Sequence, residues 1–209
     1  MLSSGSFLTM MLPMLTILLG LASAAPQPGD LSPNLFTIRD IGIIGSGCSQ
    51  EHDQVYIDKS GTVFEVSFSD YGVESGPDVR AKEWRKNCKL SLNLEYSRGF
   101  QFRLVGTNMA GYAAIPWGSS GQCVNSFSFA GNGADRIDYI VKFRGPLNGR
   151  FDLESTSGLS AWSSCGKSSS ILNLNTACNI DQTDYKAYIA VDEVSGKMTV
   201  KCGIEWRRC

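Results

Sequence analysis

Residues 197–209, Lys-Met-Thr-Val-Lys-Cys-Gly-Ile-Glu-Trp-Arg-Arg-Cys, carry the pattern that decides the fold. Met198, Val200, Cys202, Ile204 and Trp206 fall on one side of an extended chain. Lys197, Thr199, Lys201 and Glu205 fall on the other. Period two is the signature of a half-buried β-strand. The stretch closes on Cys209, so a disulfide is expected to tie this end of the chain down.

The same alternation recurs upstream. Residues 36–44 are apolar and β-branched, and Gly45-Ser46-Gly47 breaks them. Residues 55–57 and 62–68 read as a hairpin around Asp58-Lys59-Ser60-Gly61. Leu90, Leu92, Leu94 and Tyr96 alternate with polar residues, as do Phe100, Phe102 and Leu104. The Ser97-Arg98-Gly99 turn between them predicts a second hairpin. Residues 112–115, 123–129, 136–143, 159–162 and 171–180 continue the pattern. On the last of these, Asn173, Asn175 and Asn179 share the polar face. Residues 185–191 and 197–206 predict a final hairpin around Glu193-Val194-Ser195-Gly196. Residues 69–87 lack strand periodicity and read as a long loop with one short helical turn near 81–85, the first place to look for function. Ten to twelve short strands without an amphipathic helix predict an all-β fold, an antiparallel β-sandwich stapled by disulfides. A closed β-barrel is the alternative.

Of 209 residues, 43% are hydrophobic and 19% charged, which fits a globular protein. A net charge of −1 gives no electrostatic footprint for nucleic acid or for an anionic membrane. Residues 1–24 read as a signal peptide: residues 7–21 are nearly all apolar, and Ala22-Ser23-Ala24 is a small-residue exit. Residues 25–34, rich in proline, read as a flexible leader. Residues 35–209 then form one secreted, extracellular domain, with no membrane association once the signal is removed. No cofactor is expected. The seven cysteines are Cys48, Cys88, Cys123, Cys165, Cys178, Cys202 and Cys209. In an oxidising compartment most should pair, and the odd one would be free or joined to another molecule.

Eight short motifs, in order along the mature chain, resemble a family of secreted proteins known as domain of unknown function 4360, found in fungi and some bacteria. They are Gly47-Cys48, Arg85-Lys86-Asn87-Cys88, Gly111-Tyr112 and Phe127-Ser128-Phe129-Ala130-Gly131. Then come Phe143-Arg144-Gly145-Pro146, Trp162-Ser163-Ser164-Cys165-Gly166, Leu172-Asn173-Leu174-Asn175-Thr176 and Trp206-Arg207-Arg208-Cys209. The resemblance implies a signal peptide, one extracellular domain and four shared cysteines, Cys48, Cys88, Cys165 and Cys209; it implies no activity. From that pattern the expected bonds are Cys48–Cys88 and Cys165–Cys209. Cys178 and Cys202, both on apolar strand faces, are expected to form the extra bond and leave Cys123 free. The competing arrangement joins Cys123 to Cys178 and leaves Cys202. The family's proline after the first cysteine is replaced here by Ser49.

Catalytic chemistry has little to stand on. His52, between Glu51 and Asp53, is the one histidine, and neighbours along a strand point to opposite sides. A glycosidase needs two carboxylates across a cleft. Asp70, Glu74, Asp78, Asp135, Asp138 and Asp152 are available, yet nothing in the sequence pairs them. Asp181, Asp184, Asp192 and Glu193 lack the spacing of a calcium loop. Of the tryptophans, Trp206 and Trp162 read as core. Trp84, beside Arg80 and Arg85 in the long loop, and Trp117, in a Pro-Trp-Gly turn, are the candidates for an exposed binding surface. The expectation is a non-catalytic binding module at the cell exterior or wall, with a cell-wall glycan or an extracellular protein as partner. The alternative is a cell-wall polysaccharide hydrolase using a carboxylate pair.

Overall fold

The alternation of the terminal strand is also its burial pattern: Met198, Val200 and Cys202 are fully buried, and Ile204 and Trp206 nearly so. A computed structural model describes residues 35–49, 51–131, 135–156 and 158–209. The expected signal peptide and leader lie outside the described residues. Within these, the chain forms β1 (Phe36–Gly45), β2 (Gln54–Ile57), β3 (Val63–Phe68) and β4 (Gly72–Ser75). It continues with β5 (Arg85–Tyr96), β6 (Phe100–Ile115), β7 (Ser120–Phe129) and β8 (Ile137–Arg144). The last are β9 (Leu147–Ser155), β10 (Ser169–Ile180), β11 (Ala187–Ala190) and β12 (Met198–Arg208). Their antiparallel pairing builds two sheets and no closed barrel, the β-sandwich that the periodicity predicts. One sheet runs β1-β5-β10-β7-β8. The other runs β2-β3-β12-β6-β11-β4, with β9 on β6.

Facing was legible from the sequence, but neighbours were not. The Ser97-Arg98-Gly99 turn does not make a hairpin. Both edges of β5 are taken by β1 and β10, and β6 belongs to the opposite sheet. The turn therefore arches across the core, so that Tyr96 and Phe102 meet ring to ring at 5.6 Å instead of pairing side by side. The expected last hairpin is likewise absent. β11 and β12 both run antiparallel to β6, with Ala190 opposite Tyr112 and Thr199 opposite Ala110. They are two pieces of one interrupted strand, and the residues between loop out. Residues 69–87 are not one loop: they hold β4, a 3-10 turn at Ala81–Glu83 and the start of β5. β9, at a sheet edge with much of its length exposed, carries too weak an alternation to be seen in advance.

Three disulfides close the sandwich: Cys48–Cys88, Cys165–Cys209 and Cys123–Cys178. The expected Cys178–Cys202 bond is corrected. Cys178 and Cys123 are direct cross-strand partners on β10 and β7, whereas Cys202 lies on β12 in the other sheet, opposite Thr107 and Phe64. Cys202 is the free thiol and is fully buried, so another chain has no access to it for an intermolecular disulfide. Burial pushes that thiol well above its ordinary pKa.

Tyr71 ties the two layers together. Its ring packs on Phe68, with centroids 5.3 Å apart. Its hydroxyl reaches the other sheet, donating toward the Lys86 and Thr176 carbonyls and accepting the Cys178 N–H at 3.1 Å. Burial raises the phenol's pKa strongly. Tyr71→Phe keeps the ring but strands a buried N–H and carbonyls. A loss of about 2 kcal/mol is expected, read as a lower urea midpoint at unchanged slope.

Candidate functional site

One end of the sandwich gathers the residues singled out for binding. β5 begins there, β10 and β8 end there, and β7 begins there. The connecting segments are tied by backbone bonds: Ile180 N–H to Trp84 O, Asp181 N–H to Ser120 O, and Gly145 N–H to Ser119 O, each at 3.0 Å. Side chains add to this, with Ser119 Oγ donating to Thr183 at 2.8 Å and Ser75 Oγ to the Asp181 carbonyl at 3.1 Å. Trp84, Arg85, Arg80 and Trp117 thus come from separate stretches to one end.

Their environments differ. Trp84 is half-buried, and its indole N–H is spent on the Val79 carbonyl at 3.2 Å, so it packs beneath its own loop. Arg80 is exposed and lies 3.7 Å from Glu83, which Lys82 and Lys86 also approach. Lys86, foremost among these cations, holds the Glu83 carboxyl below its usual range. Arg85 stands exposed on the outer face of the five-stranded sheet and has no ion pair among the described residues.

Trp117 is 81% exposed, and Tyr185 is 67% exposed. The turn beneath Trp117 is rigid. Gly118 takes φ +77°, a left-handed conformation that suits glycine, and Ser119 N–H closes the turn on the Pro116 carbonyl at 3.1 Å. Gly145 packs so closely that a Cβ there would meet the Pro116 carbonyl oxygen at 1.7 Å. Pro116 lines a depression of about 350 Å³ with Ile115, Pro146, Leu147, Asn148 and Lys186. Trp117 and Tyr185 are the chain neighbours of Pro116 and Lys186, two of the residues that line it. Sequence reasoning missed Tyr185, Asn148 and Lys186, because the contact joins β6, β9 and the approach to β11. Next to the depression Tyr112 and Tyr188 stack at 5.8 Å and 10°, and the Tyr112 hydroxyl donates to Asn148 Oδ1 at 2.8 Å.

Asp152 and Asp192 line a common depression of about 370 Å³. Asp152 accepts from Asn108, and Asp192 from Arg150 and the Val194 N–H. The Val194 N–H first, and Arg150 after it, hold Asp192 below the usual carboxylate range, the reverse of what a general acid needs. Asp70, Glu74, Asp78 and Asp135 are exposed. Among the described residues, the group with metal-ligand spacing is Cys48, Asp53 and Cys88, and its two sulfurs are bonded to each other. Trp162, expected in the core, is half-buried, with the Arg207 and Arg103 guanidiniums over its ring, 4.0 and 4.6 Å from the ring centre.

The chain belongs to the family defined by domain of unknown function DUF4360, which matches residues 34–209. An uncharacterized secreted protein of Arthroderma benhamiae is 27% identical over 187 residues, spanning 87% of this chain and 76% of that protein. This chain too is secreted and extracellular. No helix of the described residues is long and apolar enough to cross a membrane. Among solved structures, the chain aligns with TmCBM61 in complex with β-1,4-galactotriose at TM-score 0.33 and 9% identity, over 82% of this chain and 90% of that one. It aligns with the family 11 carbohydrate-binding module of Clostridium thermocellum at TM-score 0.23 and 8% identity, over 79% and 94%. Neither likeness bears on the ligand of this chain.

Proposed function

We propose that the protein is a non-catalytic module that binds carbohydrate at the cell exterior, gripping sugar rings between Trp117 and Tyr185. The observation that carries this reading is that two highly exposed aromatic side chains, Trp117 and Tyr185, each stand next in sequence to a residue lining a depression with an apolar floor and two polar groups, Asn148 and Lys186. Large rings held out in water lose their hydration cost only when something covers them. A pyranose suits that cover: its C–H face packs on an aromatic ring, and its rim hydroxyls take the amide and ammonium donors. The rigid turn under Trp117 limits the ordering entropy lost on binding. The hydrolase alternative would have to use Asp152 and Asp192, whose carboxylates are engaged by Asn108, Arg150 and the Val194 N–H.

Trp117→Ala with Tyr185→Ala is expected to weaken glycan binding at least about thirtyfold, the scale of an aromatic hot spot, while melting stays near wild type because both rings lie outside the core. A glycan array followed by titration calorimetry on the mature protein measures this. Unchanged affinity in the double variant would move the site elsewhere.

A further inference from the structure

Across the outer face of the five-stranded sheet, register places side chains in three rows. Arg85, Asn179, Gln122 and Lys142 are successive cross-strand partners on β5, β10, β7 and β8. Two residues along come Asn87, Ala177, Val124 and Ile140, and two further Lys89, Asn175, Ser126 and Asp138. The middle row is mostly small or apolar and the outer rows are polar, so the face is a trough. Its volume is about 570 Å³. With strands ~4.8 Å apart, each row runs about 14 Å.

The polar rows are underused. The side-chain amides of Asn179 and Gln122 make no hydrogen bond among the described residues. Ser126 is only 6% exposed, lines the trough, and has no hydrogen-bond partner for its Oγ. Its cross-strand neighbour Asp138 commits both carboxylate oxygens to Arg136, at 2.7 and 2.8 Å. Ser126 lies near enough to help lower the Asp138 pKa after Arg136, but without proper hydrogen-bond geometry. A buried hydroxyl without a partner is costly, and it leaves the floor of the trough polar beneath its surface. The charges are lopsided. Arg136 and Asp138 neutralise each other, whereas Arg85, Lys89 and Lys142 have no ion pair among the described residues. A second depression of about 210 Å³ shares Gln122, Asn179 and Lys142 with the first row and adds one cation, Arg144, and one acid, Asp181, which accepts from Ser120. With Arg144 set against Asp181, the excess is that of Arg85, Lys89 and Lys142, on a chain whose net charge is −1.

We propose that this trough is a second binding site, distinct from the Trp117 depression, and that it takes an extended acidic polysaccharide, a chain of uronate sugars. Arg85 and Lys142, at opposite ends of one row, pair with carboxylates. The amides of Asn179 and Gln122 meet sugar hydroxyls, and the rings lie over Val124 and Ile140. Carboxylate-to-guanidinium and carboxylate-to-ammonium contacts at an exposed face weaken with salt.

The test is calorimetry of the mature protein with oligogalacturonate and with its methyl ester, which keeps the backbone and removes the charge. The free acid is expected to bind, the ester at least about tenfold more weakly, and the difference to shrink as salt is raised. Arg85→Gln with Lys142→Gln is expected to lose about tenfold for the acid; Lys59→Gln, which removes an exposed cation on the β2–β3 turn, should leave it unchanged. Equal binding of acid and ester, no binding of the acid, or an equal loss on Lys59→Gln would each overturn the trough. The acid–ester comparison uses the wild-type chain, so it stands even if a variant folds poorly. Failure of this site leaves the Trp117 reading to its own array.

Discussion

Trp206→Ala is expected to cost about 4 kcal/mol of folding stability, the scale of a large aromatic removed from a packed core. Against a total of about 5–15 kcal/mol for a domain, that leaves a marginal fold. The indole lies against Phe36, Phe102 and Tyr96, with ring centres 4.8, 5.0 and 5.8 Å away. Two of these neighbours come from the five-stranded sheet and one from the opposite sheet, so the ring sits where the layers are held together. Its N–H donates to the Gly61 carbonyl at 2.7 Å, pinning the β2–β3 hairpin to the terminal strand. Trp206→Phe separates the two contributions: it keeps most of the ring and should cost about 2 kcal/mol, the orphaned buried carbonyl included. Guanidinium unfolding of both variants checks the order. Equal losses would mean that ring volume contributes little.

The second large effect concerns the disulfide that the sequence reading paired wrongly. Removing Cys123–Cys178 with a double alanine substitution is expected to cost about 4 kcal/mol by the chain-entropy estimate for a loop of 55 residues. Cys202→Ala should cost only about 1 kcal/mol, a small buried side chain without a covalent role. Chemical denaturation compares the two. Peptide mapping without reduction should recover Cys202 as the free thiol. A Cys178–Cys202 peptide would contradict the register of both sheets, since β10 and β12 lie in different layers.

That mistake shows what the sequence could and could not give. Alternation in residues 198–206 told which residues face inward, and Met198, Val200, Cys202, Ile204 and Trp206 all do. Facing inward is a local property, set by the pleat. Which inward residue meets which depends on strand order, and strand order follows from loop closure and the filling of both sheet edges. Cys178 had two candidate partners of the right parity, and only the β7–β10 pairing chooses Cys123. The arch at Ser97-Arg98-Gly99 was missed for the same reason, because a short glycine turn can close a hairpin or cross a core.

The binding surfaces follow this rule. The sequence singles out Trp117 and Trp84 alike, from their places in a turn and a long loop, and only the fold tells that Trp117 is exposed while Trp84 packs beneath its loop. Asn148 and Lys186 could not be found, since only the folded chain carries them to the same depression. Asn175 and Asn179 were legible as a polar strand face. Their row-mates Gln122, Lys142 and Arg85 come from three other strands and acquire meaning only through register. Sequence periodicity thus fixes the faces of this sandwich, and non-local pairing writes the recognition chemistry onto them.

The most direct test of the central claim, binding without catalysis at the exposed aromatic pair, is affinity electrophoresis through gels cast with individual cell-wall polysaccharides, with the same polysaccharides assayed for new reducing ends. The account predicts that the mature protein is retarded in at least one neutral-glycan gel, that the Trp117→Ala/Tyr185→Ala variant runs free in it, and that no reducing ends appear. Unretarded migration in every gel, or release of reducing ends by the wild-type protein, would contradict it.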